Sequence, residues 1–401
     1  MKKLQLQDLD LKGKKVLMRV DFNVPLNKDG SIADDTRLRE SLPSIKHILS
    51  AGGSAILMSH LGRPTKGPEP QLSLAPCAKA LSQLLEIPIQ MAEDCIGEKV
   101  ERLAQQLKPG QVLLLENLRF YPAEENPSID PTFVVKLAGL GDLYVNDAFG
   151  TAHRSHSSTA KIAEFFPGKA AAGLLMQKEI QFMSTLIDNP KRPFYAIIGG
   201  AKISTKMGVL KSLISKVDGI FIGGGMAFTF FKAQGLNIGD SIHEDAQIPA
   251  AKMFLDKCQK KKVKCYLPED LVIADAFRED AHHKIISTKE GIPDGWQGMD
   301  IGPRTIAKWK EALKNAATVF WNGPLGVFEF SNFSTGTEEI AKSLAALKAT
   351  TVVGGGDSVA AINSLQLADK FTHVSTGGGA SLEFIEFGHL PGIDALSPKL
   401  N

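Results

Sequence analysis

Nine short apolar runs constrain this fold most, because each is about the length of one strand. In the first part of the chain they are KKVLMRVDF (14–22), SAILMSH (54–60), QVLLLENL (111–118) and LYVNDA (143–148). In the second part they are FYAIIGG (194–200), GIFIGGG (219–225), ATVFWNG (317–323), TTVVGGG (350–356) and HVSTGGG (373–379). Their apolar residues are continuous rather than alternating, the mark of strands covered on both faces. Stretches of helical period such as TRLRESLPSIKHILS and KISTKMGVLKSLISK lie between them. Alternating buried strands and helices predict an α/β fold of parallel, doubly wound sheets. A chain of 401 residues exceeds one ordinary core, so the expectation is two doubly wound parallel-sheet (Rossmann-like) domains joined by a hinge helix.

The boundary falls where LLMQKEIQFMSTLIDNP forms one amphipathic pattern stopped by Asn189 and Pro190. The expected division is a first domain over 1–172, a connecting hinge helix over 173–189, and a second domain over 190–385. The tail, 386–401, is expected to fold back on the first domain. Composition narrows the partners. A formal net charge of +2 gives no argument for nucleic acid. No apolar run reaches the roughly 18 residues of a membrane helix, and MKKLQLQDLDLKGKK has no secretory apolar core. The basic run at 260–262 reads as the solvated end of a helix. The four cysteines, Cys77, Cys95, Cys258 and Cys265, form no C-x-x-C pair, as fits a reduced compartment. The chain is therefore expected to be cytoplasmic and monomeric, with neither nucleic-acid nor membrane partner.

Ligands of doubly wound sheets bind beyond the carboxyl ends of the strands, so the residues after each run carry the information. The first half ends its strands in cations and polar groups: Asp21-Phe22-Asn23, His60-Leu61-Gly62-Arg63, Arg119, and the His153-Arg154 pair, with Arg37 opening the first helix. Cations gathered on one side of a sheet repel each other unless an anion lies among them, and guanidinium forks suit phosphate or carboxylate. Pairing with surface acids is the alternative for any single arginine. Two histidines three apart in FGTAHRSHSS (149–158) also raise a metal site, but Arg154 between them opposes a cation. Arg154 is therefore read as a phosphate ligand, His153 as its support and His156 as structural.

The second half ends its strands in glycine: Gly199-Gly200, Gly223-Gly224-Gly225, Gly323, Gly354-Gly355-Gly356 and Gly377-Gly378-Gly379. Glycines let main-chain N–H groups approach phosphates. Lys202 and Lys206, one helical turn apart after a Gly-Gly pair, fit an anion there. Asp357 fits a carboxylate holding Mg²⁺ on nucleotide phosphates, or the N-cap of the next helix. No P-loop is present and no D-F-G occurs. The dinucleotide fingerprint fails as well, since Phe228, Val359 and Leu382 stand where a third glycine belongs. That weakens a nicotinamide-dependent dehydrogenase. A nucleotide sensor would need only one of the two halves.

KKVLMRVDFNVP, SHLGRP, ENLRF, NDAFGTAHRSHSS, GGAKISTK, GGGMAFTF, WNGPLGVFE, GGGDS and STGGGASLE occur in this order. Together, over about residues 14–388, they closely resemble the phosphoglycerate kinase family. The resemblance implies Mg²⁺-dependent phosphoryl transfer between 1,3-bisphosphoglycerate and ADP, giving 3-phosphoglycerate and ATP, on a hinge-bending pair of domains. It implies Asp21, Phe22, Asn23, Arg37, His60, Leu61, Gly62, Arg63, Arg119 and Arg154 as the 3-phosphoglycerate site. It implies Lys206, Glu329, Gly355, Gly356, Asp357 and Ser358 around the nucleotide, with Asp357 as the metal ligand. Gly200, Gly223, Gly224 and Gly298 would line the adenine pocket. Arg37 and Lys202 would be catalytic, steadying the phosphoryl group in transfer. Ser358 stands where many members of the family have threonine.

Overall fold

The computed structural model describes residues 2–399. It forms two compact units. The first runs to Gln181 and takes up the chain again from His389; the second is Phe182–Gly388.

In the first unit the strands are β1 Lys15–Arg19, β2 Ser54–Met58, β3 Ile89–Met91, β4 Val112–Leu114, β5 Leu143–Asn146 and β6 Ala170–Ala172. They form one parallel sheet in the order β3-β4-β2-β1-β5-β6. Chain order reverses around β1, so β2 and β5 lie on either side of it. Arg19, at the end of β1, stands in register with Met58 of β2 and Asn146 of β5. Val16, Met18, Leu57 and Val145 fill one face of this sheet with Leu38, Ile45 and Ile48 of the helix Thr36–Ser50. The segment after His389 packs on this unit: Leu4 donates its N–H to the Ser397 carbonyl at 2.8 Å, and Gly392 to that of Ala152 at 2.8 Å.

The second unit holds β7 Phe194–Ile198, β8 Gly219–Ile222, β9 Lys264–Tyr266, β13 Thr318–Asn322, β14 Thr350–Gly354 and β15 His373–Val374, ordered β15-β14-β13-β7-β8-β9. All neighbours are parallel. Order reverses around β7, the second place where a crevice opens at the strand ends. Ile197, Phe221, Trp321 and Val353 make its core with Trp309 of the helix Pro303–Leu313. Both sheets are parallel and doubly wound, as the apolar runs predict.

A separate three-stranded antiparallel sheet joins β10 Asp270–Ala274, β11 His283–Ser287 and β12 Gln297–Ile301 in the order β11-β10-β12. Nothing in the runs predicts it. One helical expectation is also corrected. KISTKMGVLKSLISK is helical only over Met207–Leu213. Before it, Ser204 is held out of the helix by Glu244, which accepts both its N–H (2.9 Å) and its hydroxyl (2.6 Å). Lys202 and Lys206 therefore sit in a turn, not on one helix face. The helix Leu174–Asp188 occupies the stretch between the two sheets.

Candidate active site

The strand ends of the first unit carry the cations. Asn23 Oδ1 accepts the Gly62 N–H at 2.9 Å, joining the loops after β1 and β2. Arg119 donates to the Gly62 carbonyl at 2.9 Å, adding the loop after β4. Gly62 has φ +63°, and a Cβ there would fall 2.6 Å from Leu72, so this join requires glycine. Phe22 and Leu61 are buried core residues. Only their main chains are available to a ligand, and the Phe22 N–H is given to Ser59 Oγ at 2.8 Å.

The arginines divide into two classes. Arg37 pairs with Asp21, and Arg119 with Glu125 at 3.1 Å. Arg63 and Arg154 are exposed and have no acidic partner among the described residues. Pairing with surface acids thus accounts for two of the four and leaves two guanidiniums for an external anion. Burial raises the Asp21 pKa, but the Arg37 and Arg19 charges and the Asn23 N–H outweigh it and hold the carboxyl below its ordinary range. Asp21 is accordingly a carboxylate and an acceptor at neutral pH.

The histidines are uncharged. Burial holds His60 well below the usual imidazole value, helped by Arg19, Arg119 and Arg37 and opposed by Asp21. Burial, followed by Arg154, brings His153 down to about 4. Burial followed by Arg119, Arg19 and Arg154 does the same to His156. His156, read from sequence as structural, therefore senses three of the guanidiniums. No group of three His, Cys, Asp or Glu able to hold a metal occurs among the described residues, so the metal reading of FGTAHRSHSS has no support. Two of its hydroxyls turn inward: Thr151 Oγ1 donates to the Ala148 carbonyl at 3.1 Å and Ser157 Oγ to that of Ala123 at 2.7 Å.

Sequence reasoning passed over Arg19, which is 1 % exposed. Its Nε donates to Ser158 Oγ at 2.7 Å, one Nη to the Val20 carbonyl, and the other contacts His60 Nδ1 at 3.1 Å. Glu124 lies 3.9 Å away and is equally buried. An arginine inside an otherwise apolar run was the available signal, because a buried cation demands partners.

In the second unit the glycine turns form the floor of a cavity of about 450 Å³. Gly200, Gly224, Gly298, Glu329 and Asp357 are among its lining, with Phe228 and Met299 as apolar walls. Gly224 has φ +66°, and a Cβ there would lie 2.6 Å from the Gly200 nitrogen. Gly298 lies in β12, and a Cβ would fall 2.0 Å from the Phe228 ring. The unpredicted antiparallel sheet thus supplies one wall. Gly223 lies below this surface: its Cβ would meet Leu325 at 2.6 Å.

Beside the cavity, Lys206 Nζ donates to Asn322 Oδ1, and Asn322 Nδ2 donates to the Gly354 carbonyl at 2.8 Å. Asn322, at the tip of β13, is a second residue that sequence reasoning missed. Burial pulls the Lys206 pKa down to about 8, while the Asp357 carboxylate acts in the opposite sense. Lys202 is exposed. The helix Gly356–Ser364 is capped at Gly355, so Asp357 is not its N-cap; it lies in the first turn and is exposed. Ser358 is buried and its Oγ accepts the Gly323 N–H at 2.6 Å, so it braces the loop. A single exposed carboxylate at the edge of this cavity fits Mg²⁺, which usually takes one or two protein carboxylates plus phosphates and water. Thiolate chemistry is disfavoured at the two cysteines of the first unit: burial pushes Cys77 up to about 12 and Cys95 well above its ordinary value.

The family model for phosphoglycerate kinase matches residues 6–387. The chain is 52% identical over 394 residues to the cytosolic phosphoglycerate kinase 3 of Arabidopsis thaliana, covering 98% of this chain and 97% of that one. It is 51% identical over 399 residues to the phosphoglycerate kinase of Moorella thermoacetica, covering 100% of both. Among solved structures, the phosphoglycerate kinase of Coxiella burnetii superposes with a TM-score of 0.86 at 38% identity, and that of Pyrococcus horikoshii with 0.86 at 32%. Each covers 98% of both chains.

Proposed function

The chain belongs to the phosphoglycerate kinase family, and we propose that it catalyses reversible, Mg²⁺-dependent phosphoryl transfer between 1,3-bisphosphoglycerate and ADP, giving 3-phosphoglycerate and ATP, in glycolysis and gluconeogenesis. It is a phosphotransferase with a carboxyl group as acceptor. The observation that carries the detailed reading is the division of chemistry between the two sets of strand ends. One has two guanidiniums without an acidic partner among the described residues, Arg63 and Arg154. The other has a glycine-floored cavity flanked by Lys206 and Asp357.

Arg63, Arg154 and Arg119 bind the phosphate of 3-phosphoglycerate, with His153 and His156 as uncharged neighbours. Asp21 and Asn23 meet the polar glycerate groups, and His60 donates a hydrogen bond to the anion. Phe22, Leu61 and Gly62 contribute through the main-chain shape of their loops. Gly200, Gly224 and Gly298 receive the adenine, with Gly223 letting Leu325 pack beneath. Glu329, Lys206, Gly355 and Gly356 hold the nucleotide, Ser358 bracing that loop. Asp357 would hold Mg²⁺, whose charge offsets that of the phosphate oxygens.

In the direction of ATP consumption, a carboxylate oxygen of 3-phosphoglycerate attacks the γ-phosphorus. The bond from that phosphorus to the bridging oxygen breaks, and ADP leaves with the electron pair. The nucleophile is ionised near neutral pH, so no general base is required. The work left to the protein is placement and charge: the reacting atoms must meet in line at roughly 3–3.5 Å, with water kept away from the acyl phosphate. Arg37 and Lys202 are assigned to the group in transfer.

The cytosolic relative from Arabidopsis thaliana supports a cytosolic location. A net charge of +2 gives no electrostatic reason for a nucleic-acid partner. We place the chain as a monomer acting on small molecules, with no membrane partner. The deciding experiment is a coupled assay with 3-phosphoglycerate and Mg-ATP, run beside Lys202→Ala and Arg37→Ala. Each variant is expected to lose roughly a hundredfold or more in kcat with little change in nucleotide Kd. Unchanged turnover in either removes its assigned role.

A further inference from the structure

Arg19 is the largest charged side chain enclosed in the protein, 1 % exposed at the end of β1. Its guanidinium is committed inward, to Ser158 Oγ, the Val20 carbonyl, His60 Nδ1 and Glu124. At 1 % exposure it is closed to an external anion. The network closes on itself, since Ser158 Oγ, having accepted from Arg19, donates to Glu124 Oε1 at 2.5 Å.

A guanidinium is a donor only and does not deprotonate in proteins. In the 3.1 Å contact Nδ1 of His60 must therefore be the acceptor. A ring nitrogen that accepts carries no proton, so the imidazole proton lies on Nε2. Nε2 makes no hydrogen bond to any described residue. The charged groups facing His60 are Arg19, Asp21, Arg119 and Arg37.

We infer that Arg19 is a positioning residue for the reaction: it fixes His60 as the Nε2–H tautomer, so that the ring offers the glycerate anion a donor and never a lone pair. Arg19 itself does not touch substrate. The inference rests on the reading of His60 as a substrate contact. It explains why a full charge is enclosed under the strand ends, where an apolar residue would pack at lower cost. Glu124 and Ser158 hold the guanidinium in the one orientation that aims it at Nδ1.

The test begins with the full-length protein, ¹⁵N-labelled at histidine and free of substrate. His60 ring resonances, assigned by their loss in His60→Gln, are expected to have the proton on Nε2 from about pH 6 to about pH 8. A proton on Nδ1, a tautomer mixture or an imidazolium in that range overturns the inference without any variant. In Arg19→Met the tautomers should mix. KM for 3-phosphoglycerate should rise roughly ten- to a hundredfold and gain a pH dependence, while KM for ATP changes much less. Arg19→Lys keeps one donor and should recover the Nε2–H tautomer and part of the KM. A folded Arg19→Met with a single Nε2–H tautomer and unaltered KM refutes the inference. Should Arg19→Met fail to fold, the wild-type and Arg19→Lys spectra decide. His60→Ala tests the underlying reading separately: an unchanged KM for 3-phosphoglycerate removes His60 from the substrate site, whatever the tautomer.

Discussion

Lys206 gives the nucleotide half of the site a pH dependence whose size follows from the structure. Burial lowers its pKa to about 8, with Asp357 opposing, although its ammonium is bonded to Asn322. Nucleotide phosphates placed beside it favour the charged form. Take full recovery to the ordinary lysine value, about 10.4, as the upper limit for the bound state. The free enzyme then loses the Lys206 proton above about pH 8 while the complex keeps it, so binding takes up a proton in that window. Affinity is constant below it and falls with rising pH through it. Between about pH 7 and about pH 9 the loss is about tenfold.

The assay is calorimetric titration of ADP into the enzyme without 3-phosphoglycerate, at several pH values in buffers of different ionisation heat. The buffer dependence counts the proton directly. Lys206→Met should bind more weakly at neutral pH and lose the slope. Stability without nucleotide supplies a check of sign. The unfolded chain, with the higher pKa, binds more protons than the folded one, so stability should rise with pH from about 8 to about 10. An affinity flat from about pH 7 to about pH 9, or a slope surviving in Lys206→Met, refutes the assignment.

The unpaired guanidiniums separate binding from stability: Arg63→Ala and Arg154→Ala should change unfolding free energy by less than about 0.5 kcal/mol, while raising KM for 3-phosphoglycerate roughly ten- to a hundredfold. Urea titration beside steady-state kinetics measures both, and a large loss of stability would mean a structural role instead. Gly224→Ala should do the reverse. Its left-handed φ and a Cβ 2.6 Å from the Gly200 nitrogen should cost about 1–3 kcal/mol and weaken ADP binding; a urea midpoint equal to that of wild type would contradict the clash.

The sequence made both parallel sheets readable because their inner strands, such as β1, β2, β7 and β13, are buried on both faces and so lack alternation. The short strands left weaker traces. β6 is Ala170-Ala171-Ala172, three residues with no preference for extended structure. β3 is three residues, of which Ile89 and Met91 are half-buried and Gln90 is exposed. The antiparallel sheet could not be read from strand-end logic, yet its Gly298 shapes the nucleotide cavity. The exposed arginines were legible because the strand-end rule says where to look. Arg19 was not, because it lies within the apolar run, two residues before Asp21. Asn322 sits in ATVFWNG beside the glycine that drew attention, and only the structure assigns one amide to both Lys206 and the Gly354 carbonyl. The spacing of Lys202 and Lys206 was misread for a physical reason: four residues make a helical turn only when the main chain is helical, and Glu244 holds Ser204 outside it.

The contrast between the halves extends to the choice of cation. Burial that takes Lys206 down to about 8 also takes His153 and His156 to about 4, with arginine charges adding to it. A lysine among those arginines would feel their repulsion, which favours loss of its proton. A guanidinium, its charge delocalised, stays protonated in proteins. The anion pocket therefore takes its positive charge from groups that cannot titrate, and the same groups hold the neighbouring imidazoles neutral. A neutral imidazole still offers one N–H, so the pocket gains donors without gaining further charge to be repelled.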